Sequence, residues 1–521
     1  MSAQATFTRE AARRRTLPLE TITACGPLAI ALVATGGAAL GFFVWYAALP
    51  HLRVGFALEA GFAAALAIGI VVAFAAWTAY GVYFARRAAV DVRTALRFDA
   101  WSWASLAVGA GGILLPIGAL SPGRFAALAV GLFALVKVVV AARFVHTVRD
   151  VLTTFLVTRF SIIVIAELAS ITIAQRPGTH VAESANPLLA VWARWDAVHY
   201  LDIAQRGYAG TDMAFFPLYP ALIALVGHFV GNGLIAALFI SNVALFFGLL
   251  FFYKLVEHQY TRAVAHRAIF YVSIFPTAVF FSAAYTESLF FALTVASFYY
   301  IREHKWLTAG IVGAFAALTR VEGVLLAVPF VIEVYAAARA SGRTGTWWRF
   351  FTPRRSLRIV LGAAAIPLGL ATYMAWLWVL AGDPLYFSNV QSHWDRHLSP
   401  PWVSLYHAGT IVGKAYAKHA TLVVANETIE IAFTLLMIAV LVFGFRRLRP
   451  SFTAYMALSI LVPMCTSSLM SMQRFALVLF PMFAILAVWG GRPWVNNAIV
   501  AFSLPLLGLF TVLFANWYWV A

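Results

Sequence analysis

The sequence predicts an all-α polytopic membrane protein with about 15 transmembrane helices. Three observations carry that prediction: of 521 residues, 63% are hydrophobic, 11% are charged, and mean hydropathy is +0.86. A soluble chain of this length needs far more polar surface. Aromatics reach 15%, with 17 Trp, which suits long interfacial belts. A span needs about 20 apolar residues. In chain order the candidates fall at 24–50, 56–83, 101–121, 123–142, 151–174, 234–253, 268–284, 286–301, 306–320, 323–338, 359–380, 429–444, 450–470, 474–489 and 496–519. The apolar run 24–50 is long enough to span and follows a polar, Arg-bearing start, so no cleavable signal peptide is expected.

The stretch 214–231 is also apolar, and charge parity decides its fate. If it crossed, the basic loops 254–267, 339–358 and 445–449 would lie opposite the Arg-rich N-terminus, against the positive-inside rule. It is therefore expected to lie along the outer surface as a juxtamembrane helix entered through Pro217 and Pro220. Inside loops then hold 25 of the 37 basic residues. The net charge of +17 is read as an orientation device, with no nucleic-acid partner implied. An excess of Arg over Lys, with abundant Ala, fits a bacterial cytoplasmic membrane. Cys25 and Cys465 stand far apart in apolar sequence, so neither a disulfide framework nor a thiolate metal site is expected.

The scarce acid sorts the other way. Glu183, Asp196, Asp202, Asp212, Glu287, Glu322, Asp383, Asp395, Glu427 and Glu430 fall at or just beyond outer span ends. The two long outer loops are 175–233 and 381–428. Long loops of this kind are usually functional. Residues 1–150 read as a four-span leader, and 151–521 as the working module.

The densest constellation is Trp192-Ala-Arg-Trp-Asp-Ala-Val-His-Tyr-Leu-Asp-Ile-Ala-Gln-Arg-Gly-Tyr208. On a helix Asp196, His199 and Tyr200 share one face while Asp202 points elsewhere. A carboxylate held at the membrane surface by Trp192 and Trp195 suits general-base work on a sugar hydroxyl. The competing reading is an amphipathic anchor. Asp212 precedes a Pro-x-x-Pro corner at Pro217 and Pro220, and Glu287 sits at a hairpin tip in Tyr285-Thr-Glu-Ser288. Arg320 and Glu322 share a tight span junction, where a local ion pair is the simple reading. His393-Trp-Asp-Arg-His397 has metal-like spacing, but alternate residues converge on an ion only in a strand, so a divalent metal is not favoured. Arg474, between two spans, needs an anionic partner, and a lipid-linked phosphate fits its bidentate geometry. Snorkelling to ordinary headgroups is the alternative.

Together these segments resemble the PIG-V family of mannosyltransferases within the GT-C superfamily of polytopic glycosyltransferases. The resemblance rests on Arg194-Trp-Asp-Ala-Val-His-Tyr200, Ile203-Ala-Gln-Arg-Gly-Tyr208 and Ala214-Phe-Phe-Pro-Leu-Tyr-Pro220. It continues through Phe275-Pro276, Tyr285-Thr-Glu-Ser288, Thr319-Arg320, Gly382-Asp-Pro384, Gln473-Arg-Phe475 and Phe480-Pro481, covering about 151–490. It implies a GT-C helical bundle and a polyprenyl-phosphate sugar donor, usually mannose. It further implies a glycolipid, glycan or protein acceptor and catalysis on the outer face. Asp196 matches the family's essential acid, with Trp195, His199, Tyr200, Asp202, Asp212, Glu287, Arg320 and Arg474 as candidate substrate-binding residues. No cofactor is implied, and no nucleotide-cradling Gly-rich loop is present. The four-span leader departs from the family pattern. Two other readings stay open: a transporter or flippase of lipid-linked glycans, for which Lys137, Arg159 and Glu167 are the intramembrane candidates, and a non-catalytic scaffold subunit.

Overall fold

The computed structural model describes residues 145–176, 187–341 and 350–520. The first four candidate spans, Lys137, Cys25 and Glu183 lie outside the described residues. By compactness the chain forms two units. One comprises Met1–Arg149 and Phe229–Gly231; the other, Asp150–His228 and Asn232–Ala521, holds every side chain of the site below.

The second unit is helical, and among the described residues the only strand-like pairing is an isolated bridge between Leu398 and Thr466. Its principal helices run α1 His146–Thr172, α2 Asp196–Arg206, α3 Leu218–Val230, α4 Gly233–Gln259 and α5 Arg262–Ser273. They continue with α6 Glu287–Arg302, α7 Trp306–Ala317, α8 Ala327–Ser341, α9 Pro353–Ala381 and α10 Pro401–Ala417. The last are α11 Thr421–Gly444, α12 Pro450–Met464, α13 Met472–Val478, α14 Phe480–Trp489 and α15 Pro493–Ala515. Local chemistry sets several boundaries. Asn232 and Thr261 cap α4 and α5 by accepting the Ile235 and Val264 N–H groups. Proline opens α9, α10, α12 and α15 where its missing N–H costs nothing, and Gly382, at φ 73°, ends α9.

Ten of the eleven candidate spans beyond residue 145 lie mainly on helices, whereas 268–284 runs off the end of its helix at Ser273, and the helices divide by length. Among the described residues six are long and apolar enough to cross a membrane, or seven if α13 and α14, bent by 73°, form one span. They include α1, α4, Val321–Ser341, α9 and α15. Large apolar side chains on α1 and α9 face outward, Val379 at 88% exposure, as a lipid-facing surface requires. Helices α5, α6, α7 and α12 are shorter, at 12, 16, 12 and 15 residues. The expected juxtamembrane helices are present as α2 and α3, of 11 and 13 residues. At about 1.5 Å per residue α3 reaches only ~20 Å, too short for a ~30 Å hydrocarbon core.

Close packing seats the central helices. Gly310 of α7 meets Gly362 of α9 so closely that a Cβ on either would enter a neighbouring backbone. Arg159 on α1 donates to the carbonyls of Ser273 (2.9 Å) and Ala278 (2.8 Å) and to Ser282 Oγ (3.0 Å). It thereby satisfies backbone acceptors left open where α5 stops. This break brings the chain to Tyr285-Thr-Glu-Ser288 and the start of α6, fixing the site's deepest carboxylate.

Candidate active site

Trp195 precedes α2 with φ 53°, in the left-handed region that a bulky residue seldom occupies. Its ring is wedged edge-on against Trp517 and Trp519, with centroids 5.7 and 5.1 Å away. Packing thus over-determines the strained residue beside Asp196. Arg194 is buried, its guanidinium lies 4.8 Å from the Trp517 ring centre, and its carbonyl accepts the Tyr285 hydroxyl at 2.9 Å. Burial pushes the Arg194 guanidinium down to about 10.

Helix α2 sorts its polar residues as the spacing predicts. Asp196 Oδ2 accepts from Arg474 Nη1 at 2.7 Å. His199 Nδ1 lies 2.7 Å from Asp212 Oδ1, and its ring stacks on Phe215 at 4.7 Å. The Tyr200 hydroxyl is 3.3 Å from Thr286 Oγ1. Burial, then the Asp196 and Glu287 charges, push the Tyr200 phenol well above its usual range, so it stays protonated. Asp202 turns away and pairs with Arg206 at 2.8 Å on an exposed face. Of the residues chosen from sequence, it is the one the structure leaves outside the cluster.

The other elements converge on Glu287, the first residue of α6 and fully buried. Its Oε1 accepts from Arg474 Nε (2.8 Å) and Arg320 Nη1 (3.1 Å), and lies 2.7 Å from Arg474 Nη2. Glu287 Oε2 has no hydrogen-bond partner. Arg320 also faces Glu322 at 3.5 Å. Asp196 and Glu287 each begin a helix, where the backbone dipole favours negative charge. Two helix N-termini therefore aim carboxylates at one guanidinium, which also lies over the rings of Phe280 and Tyr285 at 5.1 and 4.9 Å. The anionic partner that Arg474 required is supplied by the protein: all three of its nitrogens are engaged by Asp196 and Glu287.

Two residues that sequence reasoning did not select as site residues hold this arrangement. Ser471 stands at φ 73° before α13, and its N–H donates to Glu430 Oε1 at 3.2 Å. Arg396 Nη2 donates to Met470 O at 2.8 Å, while its Nε is buried without a partner. Burial lowers the Arg396 pKa, Arg474 lowers it further, and the charges of Glu430, Asp196 and Glu322 oppose the shift. Arg396 has no carboxylate ion-pair partner among the described residues. The visible signal was Arg396 inside the His393–His397 motif, masked by the metal-like spacing of its neighbours. Among the described residues no three His, Cys, Asp or Glu side chains are grouped to hold a metal ion.

Residues 133–338 match the family model described as Mannosyltransferase (PIG-V), which bears out the resemblance read from the motifs. The match includes Asp196, Glu287 and Arg320 and ends before Arg396 and Arg474. Two curated relatives, both GPI mannosyltransferase 2 of Cryptococcus neoformans var. neoformans serotype D (strains JEC21 / ATCC MYA-565 and B-3501A), are 28% identical over 144 residues. The similarity covers 25% of this chain and 34% of each relative, so the chain spans about a third of the length of the curated relatives it matches. A crystal structure of the Archaeoglobus fulgidus oligosaccharyltransferase, in complex with Zn and sulfate, aligns with TM-score 0.30 and 14% identity over 68% of this chain and 53% of that one.

Proposed function

We propose, for a chain that carries the PIG-V mannosyltransferase signature over residues 133–338, that it is an integral-membrane, inverting glycosyltransferase. It transfers mannose or a related hexose from a polyprenyl-phosphate donor to an acceptor hydroxyl. The supporting observation is the convergence of Asp196, Glu287 and Arg474 from three separate elements. Asp196 is the partly open member, its side chain 25% exposed, while Glu287 is sealed. Arg474 holds Asp196 Oδ2, and the second carboxylate oxygen has no partner among the described residues.

That oxygen accepts the proton of the acceptor hydroxyl as its oxygen attacks the anomeric carbon. The new glycosidic bond forms as the bond from carbon to phosphate oxygen breaks, with one inversion. The leaving polyprenyl phosphate needs charge stabilisation and no proton. We assign that role to Arg396, whose Nε is unpartnered and which lies within electrostatic reach of Asp196 and Arg474, with Arg474 fixing the base. His199, Tyr200, Asp212 and Arg320 then shape the site around the sugar. In this reading the module is 151–521, 1–150 is its leader, and the site faces outward from a bacterial cytoplasmic membrane.

The direct test incubates the purified protein with polyprenyl-phosphate mannose and a panel of acceptors. Release of polyprenyl phosphate is expected. Release that persists unchanged in Asp196→Asn overturns the assigned base, and no turnover in the intact chain favours the scaffold reading. Orientation has its own test: a cysteine at Ser184 should label from outside and one at Ser341 should not. The transporter reading has less support here. Arg159 is spent on backbone carbonyls, and Glu167 Oε1 accepts the Trp192 indole N–H at 3.1 Å.

A further inference from the structure

Beyond the cluster, the chain leaving α9 folds back after Gly382 and borders a wide-mouthed, open cavity of about 430 Å³. Its walls are Thr211, Asp383, Tyr386, Asn389, Ser392 and His393, with Val390. That volume lies within the usual range of small-molecule clefts, about 300–1,000 Å³. The Asp383 carboxylate is fixed at both oxygens, by the Leu385 N–H at 2.9 Å and by Asn389 Nδ2 at 2.7 Å. Ser392 Oγ donates to Asn389 O at 2.9 Å. A carboxylate oxygen has two acceptor sites, so each retains capacity for a ligand hydroxyl.

No Lys or Arg lines the cavity. A phosphate brought here would face Asp383 without a permanent cation, so the donor's head group is disfavoured. The lining instead offers an oriented carboxylate, an amide, hydroxyls, an imidazole and the Tyr386 ring: acceptors and donors for a neutral polyol, and an aromatic surface for the C–H face of a pyranose.

The cavity neighbours the cluster through the chain on two sides. Thr211 adjoins Asp212, the partner of His199. His393 adjoins Trp394, which packs edge-on against Phe215 at 6.3 Å, and Phe215 stacks on His199.

We propose that this cavity is a neutral-carbohydrate subsite that holds the glycan of the acceptor beside the α2 face. The proposal rests on the glycosyltransferase reading for the word acceptor; carbohydrate binding itself is testable without turnover. The probes are methyl α-D-mannopyranoside and methyl α-D-glucopyranoside, followed by saturation-transfer NMR on the full chain in nanodiscs. Saturation transfer to at least one glycoside is expected in the intact protein and in Asp196→Asn. It should be lost in Tyr386→Ala and in Asp383→Asn, both checked for folding by thermal melting.

In the transfer assay Asp383→Asn should raise the acceptor KM about tenfold or more, since one lost hydrogen bond to a charged group is worth that much, and Tyr386→Ala, which removes the ring surface, should raise it severalfold, with the donor KM unchanged. Absence of binding in the intact chain, or binding that survives both variants, overturns the proposal. A rise in the donor KM instead would assign the cavity to the donor's sugar and equally overturn it. Glycoside binding in a chain that shows no transfer would sink the enzymatic reading while leaving the carbohydrate site standing.

Discussion

Helix α6 carries an ion cluster at each end, and the two are built differently. At its start Glu287 puts three guanidinium nitrogens on one oxygen and leaves the other bare. At its finish Arg302 reaches Glu333 at 3.0 Å, and Arg449 meets both Glu333 oxygens at 3.0 and 3.1 Å. Ser451 adds a donor to Glu333 Oε1. Glu333 is thus bonded at both oxygens, whereas Glu287 is lopsided and communicates through Arg474 with the partly open Asp196. A buried charge network completed on all sides specifies structure; one left incomplete beside an opening is where chemistry is expected.

The largest effect that would sharpen the contrast is at Asp196. Asp196→Asn keeps the shape of the side chain and removes the base, so transfer should fall by about 10²–10⁴, the range of general-base contributions. Melting temperature should change little, because the residue is partly exposed. A comparable loss of folding would make the Glu287 cluster structural and end the distinction.

Glu333→Gln tests the other end. Arg302 and Arg449 each lose their one carboxylate contact among the described residues. Leaving buried charges uncompensated costs about 3–5 kcal/mol, discounted here because Arg449 is partly exposed to screening. The folded population should shrink, read by thermal or denaturant unfolding, while turnover per folded molecule holds. A fall in turnover at constant folded fraction would break the comparison.

Glu287→Gln should show the opposite profile on a smaller stability scale. Arg474 keeps Asp196 and Arg320 keeps Glu322, so neither cation is stranded. A loss of about 1–3 kcal/mol, that of a charged hydrogen bond, is expected in unfolding. Activity should drop more than stability does, because Arg474, no longer anchored on Glu287 Oε1, holds Asp196 Oδ2 without a fixed geometry.

How much of this was legible in the sequence follows from the kind of information each feature needs. Spans came from local hydropathy, a property of short windows, and the juxtamembrane segment from the sorting of charge by side along the chain, which needs no knowledge of contacts. The face shared by Asp196, His199 and Tyr200 came from helical spacing, which is also local. Partner choice is not local: 278 residues separate Asp196 from Arg474 and 187 separate Glu287 from it. Sequence alone assigns Arg474 an anionic partner and favours a lipid phosphate, with ordinary headgroups as the alternative; in the structure the carboxylates of Asp196 and Glu287 take that place. Glu430 and Arg396 went unassigned because each acts on backbone atoms of the 470–471 turn, a contact that depends on that turn's conformation and on no motif.

Asp202 supplies the smallest effect and the most stringent check on reading a helix by its faces. It lies six residues after Asp196 on the same helix, within the same motif, yet its side chain is 37% exposed and its partner Arg206 is 73% exposed. Such an i,i+4 surface pair contributes about 0–1 kcal/mol and is screened by salt. Asp202→Asn should therefore move neither melting temperature nor turnover measurably. Asp212, ten residues further, is the control: its side chain is only 12% exposed and holds His199. Asp212→Asn replaces an acceptor with an amide that either oxygen or nitrogen can present, so a turnover loss of a fewfold with near-normal folding is expected. Equal sensitivity at the two positions would mean that membership in the motif, and not the face a residue occupies, decides its role.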